Sequence, residues 1–391
     1  MKRLFYLIQI FFLIQLGGVV TIACTTGLAH SSANATGSTL LWKNRDSGFR
    51  NNELAFFRKN GFSCMGIINA DDTTQIWAGV NNYGFAIMNA ESKDMAVPGE
   101  NTQFDDEGVW IKTALMNCKT VDDFENMLIE TNETGRKVTS NFGVIDASGN
   151  AVFFETGNHE YFRFDSYNPE TPQDSWLIRA NFADSARSNE GYGKIRYGRA
   201  ANLFRKAIDH NQLSCEYIIS NVARDVYLPD SLLSSNPKTA SLRKTQDTVN
   251  RYRTVSSAVF EGVTENGDPR FTTFWCTPGE PVASISIPLW VYSGKVPSVL
   301  DSVSGSPVNL QFQEIGRYLY PKDKFIDMSR LKRIQPLLDR GQKQIFRKTQ
   351  RALKTWRKTN PTPEDVALFQ DRMADIAVKT ARKVLRLIKN N

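Results

Sequence analysis

The chain of 391 residues is poor in histidine, with only His30, His159 and His210. The three lie far apart, and none stands at a metal-ligand spacing from a cysteine or another histidine. The sequence therefore predicts no metal site. A Ser–His or Cys–His hydrolase needs one well-placed histidine, so that class stays open, although no nucleophile-elbow motif accompanies any of the three. We interpret each histidine as a surface or structural residue.

Cysteine is also scarce, and four of the five cysteines give no functional signal. Cys64, Cys118, Cys215 and Cys276 are widely separated and form no CxxC pair. In an oxidising compartment they could pair in three ways, and buried free thiols are an equal alternative. We assign these four residues no role.

Long apolar runs are missing except at the N-terminus, so no second membrane span is predicted. Lys2 and Arg3 precede an uncharged, mostly apolar run from Leu4 to Ile22, and Ala23 follows it. A short positive start, an apolar stretch and a small residue are typical of a secretory signal peptide. We therefore predict a signal peptide over residues 1–23 and export to the periplasm or the extracellular space. Left uncleaved, the same run is long enough to anchor the chain in a membrane.

Cleavage after Ala23 would make Cys24 the first residue of the mature chain. A terminal cysteine carries a thiol and a free α-amine, whose pKa is about 8 in model peptides and suits a general base near neutral pH. Nucleophile and base would then come from one residue, and no histidine would be needed. The alternative is a lipoprotein, in which acylation of Cys24 anchors the chain and blocks the same amine.

Positive charge is concentrated in the C-terminal part of the chain. Residues 321–391 contain 19 Lys and Arg against 7 Asp and Glu, a net charge of +12, whereas residues 1–320 carry −5. In an exported protein we expect no nucleic-acid binding. Apolar residues recur between these charges at helical spacing, in two series separated by the helix-breaking segment Asn360-Pro361-Thr362-Pro363. The first series is Leu331, Ile334, Leu338, Ile345, Phe346, Leu353 and Trp356. The second is Val366, Phe369, Met373, Ile376, Ala377, Val384 and Leu387, with Thr380 as its one polar member.

This pattern predicts two amphipathic helices joined by a turn, packed by their apolar faces on the rest of the protein. The alternative, contact of the basic faces with lipid or a polyanion, depends on the basic amphipathic pattern alone. We place a domain at residues 24–320 and a basic helical extension at 321–391.

The region before this extension reads as strands separated by turns, with helices between some of them. The turns at Asn81-Asn82-Tyr83-Gly84 and Ala147-Ser148-Gly149-Asn150 each separate two apolar runs, as in hairpins. Further strands are predicted at 39–43, 64–69, 176–180, 254–260, 272–276 and 283–289, and helices at 106–117, 121–131 and 197–209. Many strands with interspersed helices indicate an α+β layered fold.

Four stretches, in this order, resemble a known superfamily. They are Cys24-Thr25-Thr26 with Leu40-Leu41-Trp42-Lys43-Asn44-Arg45-Asp46, the segment Asn81 to Asn89 with its N-x-x-G turn, the segment Trp176 to Asn181, and Lys194-Ile195-Arg196-Tyr197. Together they resemble the choloylglycine hydrolase and isopenicillin N acyltransferase superfamily over about residues 24–291. The resemblance implies a four-layer αββα N-terminal-nucleophile hydrolase fold in which the nucleophilic cysteine starts the first strand.

The resemblance also implies site roles. Cys24 would be the nucleophile through its thiolate, and Asp46 would accept a hydrogen bond from the terminal amine. Asn89, and alternatively Asn181, would donate to the tetrahedral oxyanion, with Asn181 also a candidate ligand of the amine. The ordinary alternative for the asparagines and Asp46 is that they form turns.

Two cations complete the implied site. Arg196 would hold positive charge near the thiolate, and its alternative is a surface helix cation. Lys43 stands where bile salt hydrolases have an arginine; lysine keeps the charge but lacks the planar fork, which favours the broader amidase group over bile-salt specificity. Arg45 could take that place if the register shifts.

The resemblance therefore implies a secreted cysteine amidohydrolase that cleaves a linear C–N amide through a Cys24 thioester. The substrate would be a small-molecule amide, such as an N-acyl amide, a bile-salt conjugate or a penicillin V-like compound. No metal or organic cofactor is implied, membrane contact is expected only through the leader or lipidation, and an oligomer is compatible with the sequence. Two alternatives stay open: an acyltransferase that uses the same residues, and a noncatalytic surface lipoprotein that binds a partner through its basic tail.

Overall fold

The computed structural model describes residues 23–99, 106–228, 241–264, 267–301 and 305–390. Apart from Ala23, the predicted signal peptide lies outside these residues. Two antiparallel sheets form the centre. Sheet A has, in spatial order, β10 (Trp176–Arg179), β1 (Thr25–Ala29), β2 (Leu40–Asp46), β12 (Thr254–Glu261), β13 (Thr273–Pro278) and β14 (Ile287–Leu289).

Sheet B follows the chain, each strand pairing with the next. Its strands are β3 (Asn52–Lys59), β4 (Phe62–Asn69), β5 (Ala78–Asn81), β6 (Ala86–Glu91), β7 (Ser140–Ile145), β8 (Ala151–Thr156) and β9 (Tyr161–Asp165). Both predicted hairpins are present, because Gly84 and Gly149 supply the positive φ that each turn requires, +79° and +91°. A separate two-stranded ribbon pairs β11 (Leu242–Lys244) with β15 (Phe325–Asp327).

The two sheets pack face to face. Gly143 in β7 lies in close contact with both sheets, since a Cβ there would lie 2.3 Å from Met88 of sheet B and 3.1 Å from Leu41 of sheet A. A larger residue there would require these side chains to shift. The helices are α1 (Glu107–Leu115), α2 (Val121–Thr131), α3 (Lys194–Asp209), the short α4 (Cys215–Tyr217), α5 (Pro307–Leu319), α6 (Met328–Thr359) and α7 (Pro363–Lys389).

These helices cover the outer faces of the sheets. On sheet B, Phe124 of α2 meets Phe142 and Phe154 edge-on at 5.5 and 5.4 Å. On sheet A, the buried core includes Phe204 of α3, Phe312 of α5 and side chains of α6 and α7. The layers are therefore helix, sheet, sheet, helix, which confirms the expected α+β, four-layer αββα class.

The C-terminal helices lie against sheet A. Phe346 of α6 packs on Trp275 at 5.1 Å. Asn360 ends α6 with φ +49°, and Thr362 caps α7. Thr380, the polar member of the apolar stripe, is buried because Gly341 brings α6 close to it, while its hydroxyl donates to the Ile376 carbonyl. Of the helices described here, none could span a bilayer.

Candidate active site

Cys24 lies just before β1, buried, with both of its backbone polar atoms held by side chains. Its nitrogen donates to Asn181 Oδ1 at 2.8 Å. Its carbonyl oxygen accepts from Arg196 at 2.6 Å, and the same guanidinium donates to Asn181 Oδ1 at 3.0 Å. Three residues distant in sequence thus form one closed set of hydrogen bonds. In this structure Ala23 still precedes Cys24, so the nitrogen is an amide.

Arg196 reaches Cys24 from the first turn of α3, where it is buried with 2% exposure. A third hydrogen bond, to Thr25 Oγ1 at 2.8 Å, fixes its guanidinium. Gly193 precedes the helix with φ +97°, and a Cβ there would lie 2.4 Å from the Arg196 guanidinium. Glycine is therefore favoured at this position for two reasons: it adopts the positive φ readily, and it leaves space for the Arg196 guanidinium.

The orientation of Asn181 is fixed by its own contacts. Its Nδ2 donates to the Glu91 carbonyl at 3.0 Å, so the side-chain oxygen must face the Cys24 nitrogen. The backbone of Asn181 also accepts from Tyr192 N at 2.8 Å. In this structure Asn181 therefore accepts from the Cys24 amide nitrogen. Its predicted role as a ligand of the free amine stays a prediction for the cleaved chain.

Lys43 and Asn89 form a second buried group. The Lys43 ammonium donates to the Trp77 carbonyl at 2.9 Å and to Asn89 Oδ1 at 2.5 Å. Asn89 Nδ2 in turn donates to Ser140 Oγ at 3.2 Å, which uses one of its two hydrogens. Lys43 extends from β2 and Asn89 from β6, so the group bridges the two sheets.

The Cys24 thiol lies among opposing charges. Burial raises its pKa above the ordinary value, the Lys43 ammonium lowers it, and the carboxylates of Asp46 and Glu107 raise it. The Asp46 backbone N–H donates to the sulfur and also favours the thiolate. After burial, the Lys43 ammonium has the largest effect on this pKa, and it favours the thiolate.

Asp46 is held by two residues that sequence reasoning missed. Its carboxylate accepts from Arg251 at 2.9 Å and from Thr254 Oγ1 at 2.6 Å. Among the described contacts, the Cys24 nitrogen bonds to Asn181 and not to Asp46. The predicted bond between Asp46 and a free amine stays a prediction for the cleaved chain. Arg251 and Thr254 lie more than 200 residues from Asp46 in sequence, and no motif marks them.

Arg45 does not take the place of Lys43. Its guanidinium donates to Asn52 and, at 2.7 Å, to Asn69, and it lies over the Trp77 ring. Of the two cations, Lys43 is the one whose charge lowers the pKa of the Cys24 thiol.

The remaining cysteines and the histidines make other contacts. All five cysteines are free and buried. His159 Nδ1 lies 3.0 Å from the Asn132 carbonyl, and His210 Nδ1 lies 2.7 Å from the Lys206 carbonyl. Within the described ranges, no group of His, Cys, Asp and Glu could hold a metal ion.

No protein-family model matches this chain, and no curated protein matches it. Among solved structures, it is similar to an N-acylethanolamine-hydrolyzing acid amidase ortholog from Caenorhabditis elegans, with 16% identity and a TM-score of 0.39 over 60% of this chain and 92% of that one. A mutant conjugated bile acid hydrolase from Clostridium perfringens has 13% sequence identity and a TM-score of 0.41, and the match covers 72% of this chain and 94% of that one. A penicillin V acylase from Agrobacterium tumefaciens has 13% sequence identity and a TM-score of 0.40, and the match covers 68% of this chain and 85% of that one. At these low values, the chemistry at Cys24 has to be inferred from this chain's own residues.

Proposed function

We propose that this protein is an N-terminal-nucleophile cysteine amidohydrolase that acts on a linear C–N amide after removal of residues 1–23. One observation carries the proposal: Asn181 and Arg196 hold the nitrogen and the carbonyl of Cys24, and the buried Lys43 ammonium favours the thiolate of the same residue. A cysteine with a merely structural role needs no such fixation of both backbone atoms. A nucleophile whose own amine is the base does need it, because the amine and the thiol must keep one geometry.

The first step transfers a proton and forms a bond. Cleavage before Cys24 would turn its amide nitrogen into an amine that keeps Asn181 Oδ1 as acceptor and has a lone pair for the thiol proton. The sulfur then attacks the amide carbon, and the negative charge passes to the carbonyl oxygen. Asn89 has a second Nδ2 hydrogen for that oxyanion, and the neighbouring Lys43 ammonium favours negative charge there.

The second step breaks the C–N bond. The protonated amine of Cys24 gives its proton to the leaving nitrogen, which departs as an amine, and the acyl group remains as a thioester. Water then attacks the thioester, with the amine again as base, and releases the acid and the thiol. An acceptor amine in place of water would give acyl transfer through the same residues.

Export and substrate belong to the proposal too. We infer a periplasmic or extracellular location from the leader, and a small-molecule amide as substrate. The candidate substrates are N-acyl amides, penicillin V-like amides and bile-salt conjugates.

Intact mass and N-terminal sequencing of the exported protein test the proposal first. A chain that begins with an unmodified Cys24 supports the proposal. A diacylglyceryl adduct on Cys24 identifies a lipoprotein instead. A chain that begins at another residue has no free α-amine on Cys24 to act as the base, which contradicts the proposal. Purified protein is then screened against N-acyl amino acids, bile conjugates, penicillin V and aminoacyl amines. Cys24→Ala should lose the activity that is found, and Cys276→Ala, which removes a buried thiol elsewhere, should keep it.

A further inference from the structure

A cavity of about 400 Å³ is lined by Thr254 and by none of the residues that contact Cys24. Its volume is in the range of small-molecule sites, about 300–1,000 Å³. β12 and the segment Gly279-Glu280 after β13 form one side and α5 the other, and the apolar wall consists of Tyr252, Val255 and Phe312. Thr254 is shared, since its hydroxyl donates to Asp46.

Two acids line this cavity, the exposed Asp323 and Glu280, which is only 6% exposed. Its Oε1 accepts from Tyr320 Oη at 2.5 Å and from Asn250 Nδ2 at 2.7 Å. Among the described residues, Oε2 has no hydrogen-bond partner. Glu280 and Gly316 both line the cavity, and a Cβ at Gly316 would lie 3.5 Å from Oε2, so Oε2 is the oxygen that can accept from a donor on a ligand in the cavity.

Two arginines lie at the rim of the same cavity. Arg50 donates to the Tyr252 carbonyl at 2.8 Å, and Arg317 extends from α5; both side chains are exposed. In the described part of the chain neither arginine forms an ion pair. The cavity thus has a buried acid, an apolar wall, and two exposed arginines with one exposed acid, Asp323, at its mouth.

We propose that this cavity binds a small zwitterion, an α-amino acid with an apolar side chain. The ammonium group donates to Glu280 Oε2, the carboxylate meets Arg50 and Arg317, and the side chain packs on Val255 and Phe312. A ligand with the cation alone leaves two arginines with only one acid, Asp323, in the same lining, and a ligand with the carboxylate alone leaves Oε2 without a donor. The site is independent of the amidase proposal, because binding requires no turnover and no contact with Cys24.

Calorimetry on the intact purified protein tests the proposal with three probes of one shape. L-Phenylalanine carries both charges, phenethylamine only the cation and 3-phenylpropionate only the anion. We expect phenylalanine to bind at least about tenfold more tightly than either analogue, since a charge-assisted hydrogen bond is worth about 1.5–3 kcal/mol. Absence of phenylalanine binding, or equal binding of an analogue, overturns the proposal. Cys24→Ala should bind phenylalanine as the wild type does.

Two variants locate the ligand. Glu280→Gln keeps an acceptor for Tyr320 and Asn250 and should weaken phenylalanine binding at least about tenfold. Gly316→Ala places a methyl group 3.5 Å from Glu280 Oε2, an ordinary contact inside α5, and should reduce binding while the protein stays folded. The control is Arg347→Gln, an exposed arginine of α6, which should change nothing. Wild-type affinity in both cavity variants overturns the proposal.

The pH dependence gives an independent readout. Burial raises the pKa of Glu280 to about 7, against the opposing effects of Tyr320, Asn250 and Arg50, with Asp46 adding to the rise. Its carboxylate is the form that holds an ammonium group. Phenylalanine affinity should therefore increase between about pH 6 and about pH 8, and this increase should vanish in Glu280→Gln.

Discussion

Gly193 offers the sharpest test of how the site is held. It precedes α3 with φ +97° and ψ 15°, where an L-residue costs roughly 1–2 kcal/mol. A Cβ there would lie 2.4 Å from the Arg196 guanidinium and 3.1 Å from the Ala180 side chain. Because Arg196 is buried and already bonded to Cys24 and Asn181, it can move only by giving up one of these bonds.

Gly193→Ala should therefore lower both stability and activity. We expect a loss of roughly 1–3 kcal/mol in the free energy of unfolding. One lost charge-assisted bond, about 1.5–3 kcal/mol, corresponds to about a 10- to 100-fold loss in kcat/KM. Denaturant unfolding followed by circular dichroism and turnover of the substrate found by screening measure the two effects.

The same helix supplies a control for Gly193→Ala. Gly198 lies inside α3, and a Cβ there would have no neighbour within 4 Å. Gly198→Ala should raise stability by about 0.5–1 kcal/mol and leave turnover unchanged. If the free energy of unfolding and the turnover rate of Gly193→Ala both equal those of the wild type, Arg196 does not hold Cys24 in the way described.

Four other substitutions address single roles. Cys24→Ser should abolish or severely reduce turnover without unfolding the chain, since a hydroxyl is the poorer nucleophile; wild-type rates would place the chemistry elsewhere. Asn89→Ala should lower kcat about 10²–10³-fold with little change in KM, and a loss of melting temperature alone would make Asn89 a turn residue. Lys43→Gln should move the pH profile of Cys24 alkylation to higher pH, because the ammonium lowers the pKa of that thiol; an unchanged profile contradicts this. Asp46→Asn should lower kcat and shift the acidic limb of its pH profile, and lost stability with unchanged kcat would leave Asp46 as a structural partner of Arg251.

Local signals predicted much of the fold. The two hairpin turns and the helices α1, α2 and α3 lie where turn residues and periodicity indicate them. β3 was missed because Arg58 and Lys59 occupy its exposed end and hide the apolar alternation. The strand predicted at 283–289 begins only at Ile287, since Pro281–Ala283 forms a 3-10 turn. Helix α5 was missed although Ser306 caps it and Pro307 opens it, because Gly316 interrupts its pattern.

Residues of the candidate site could be predicted from the sequence only where they belong to a recognisable motif. Cys24 stands out because of the leader, and Asn181 and Arg196 stand out through the superfamily resemblance. Arg251 and Thr254 belong to β12 and the loop before it, and they reach Asp46 only because β12 pairs with β2 in sheet A. Such a contact follows from strand order, which no local pattern in this chain specifies.

The sequence raises the question of whether Lys43 helps to select the substrate, and the contacts of its ammonium group in the fold bear on the answer. An arginine would present a planar fork able to grip a carboxylate with two parallel bonds. The Lys43 ammonium instead gives two of its three N–H bonds to Trp77 and Asn89, and the residue is 1% exposed. Its charge therefore serves the thiol and the position of Asn89, which argues against a direct role in choosing the substrate. Substrate preference must then arise from residues that do not hold Cys24, and variants of Lys43 should change kcat more than they change the order of preferred substrates.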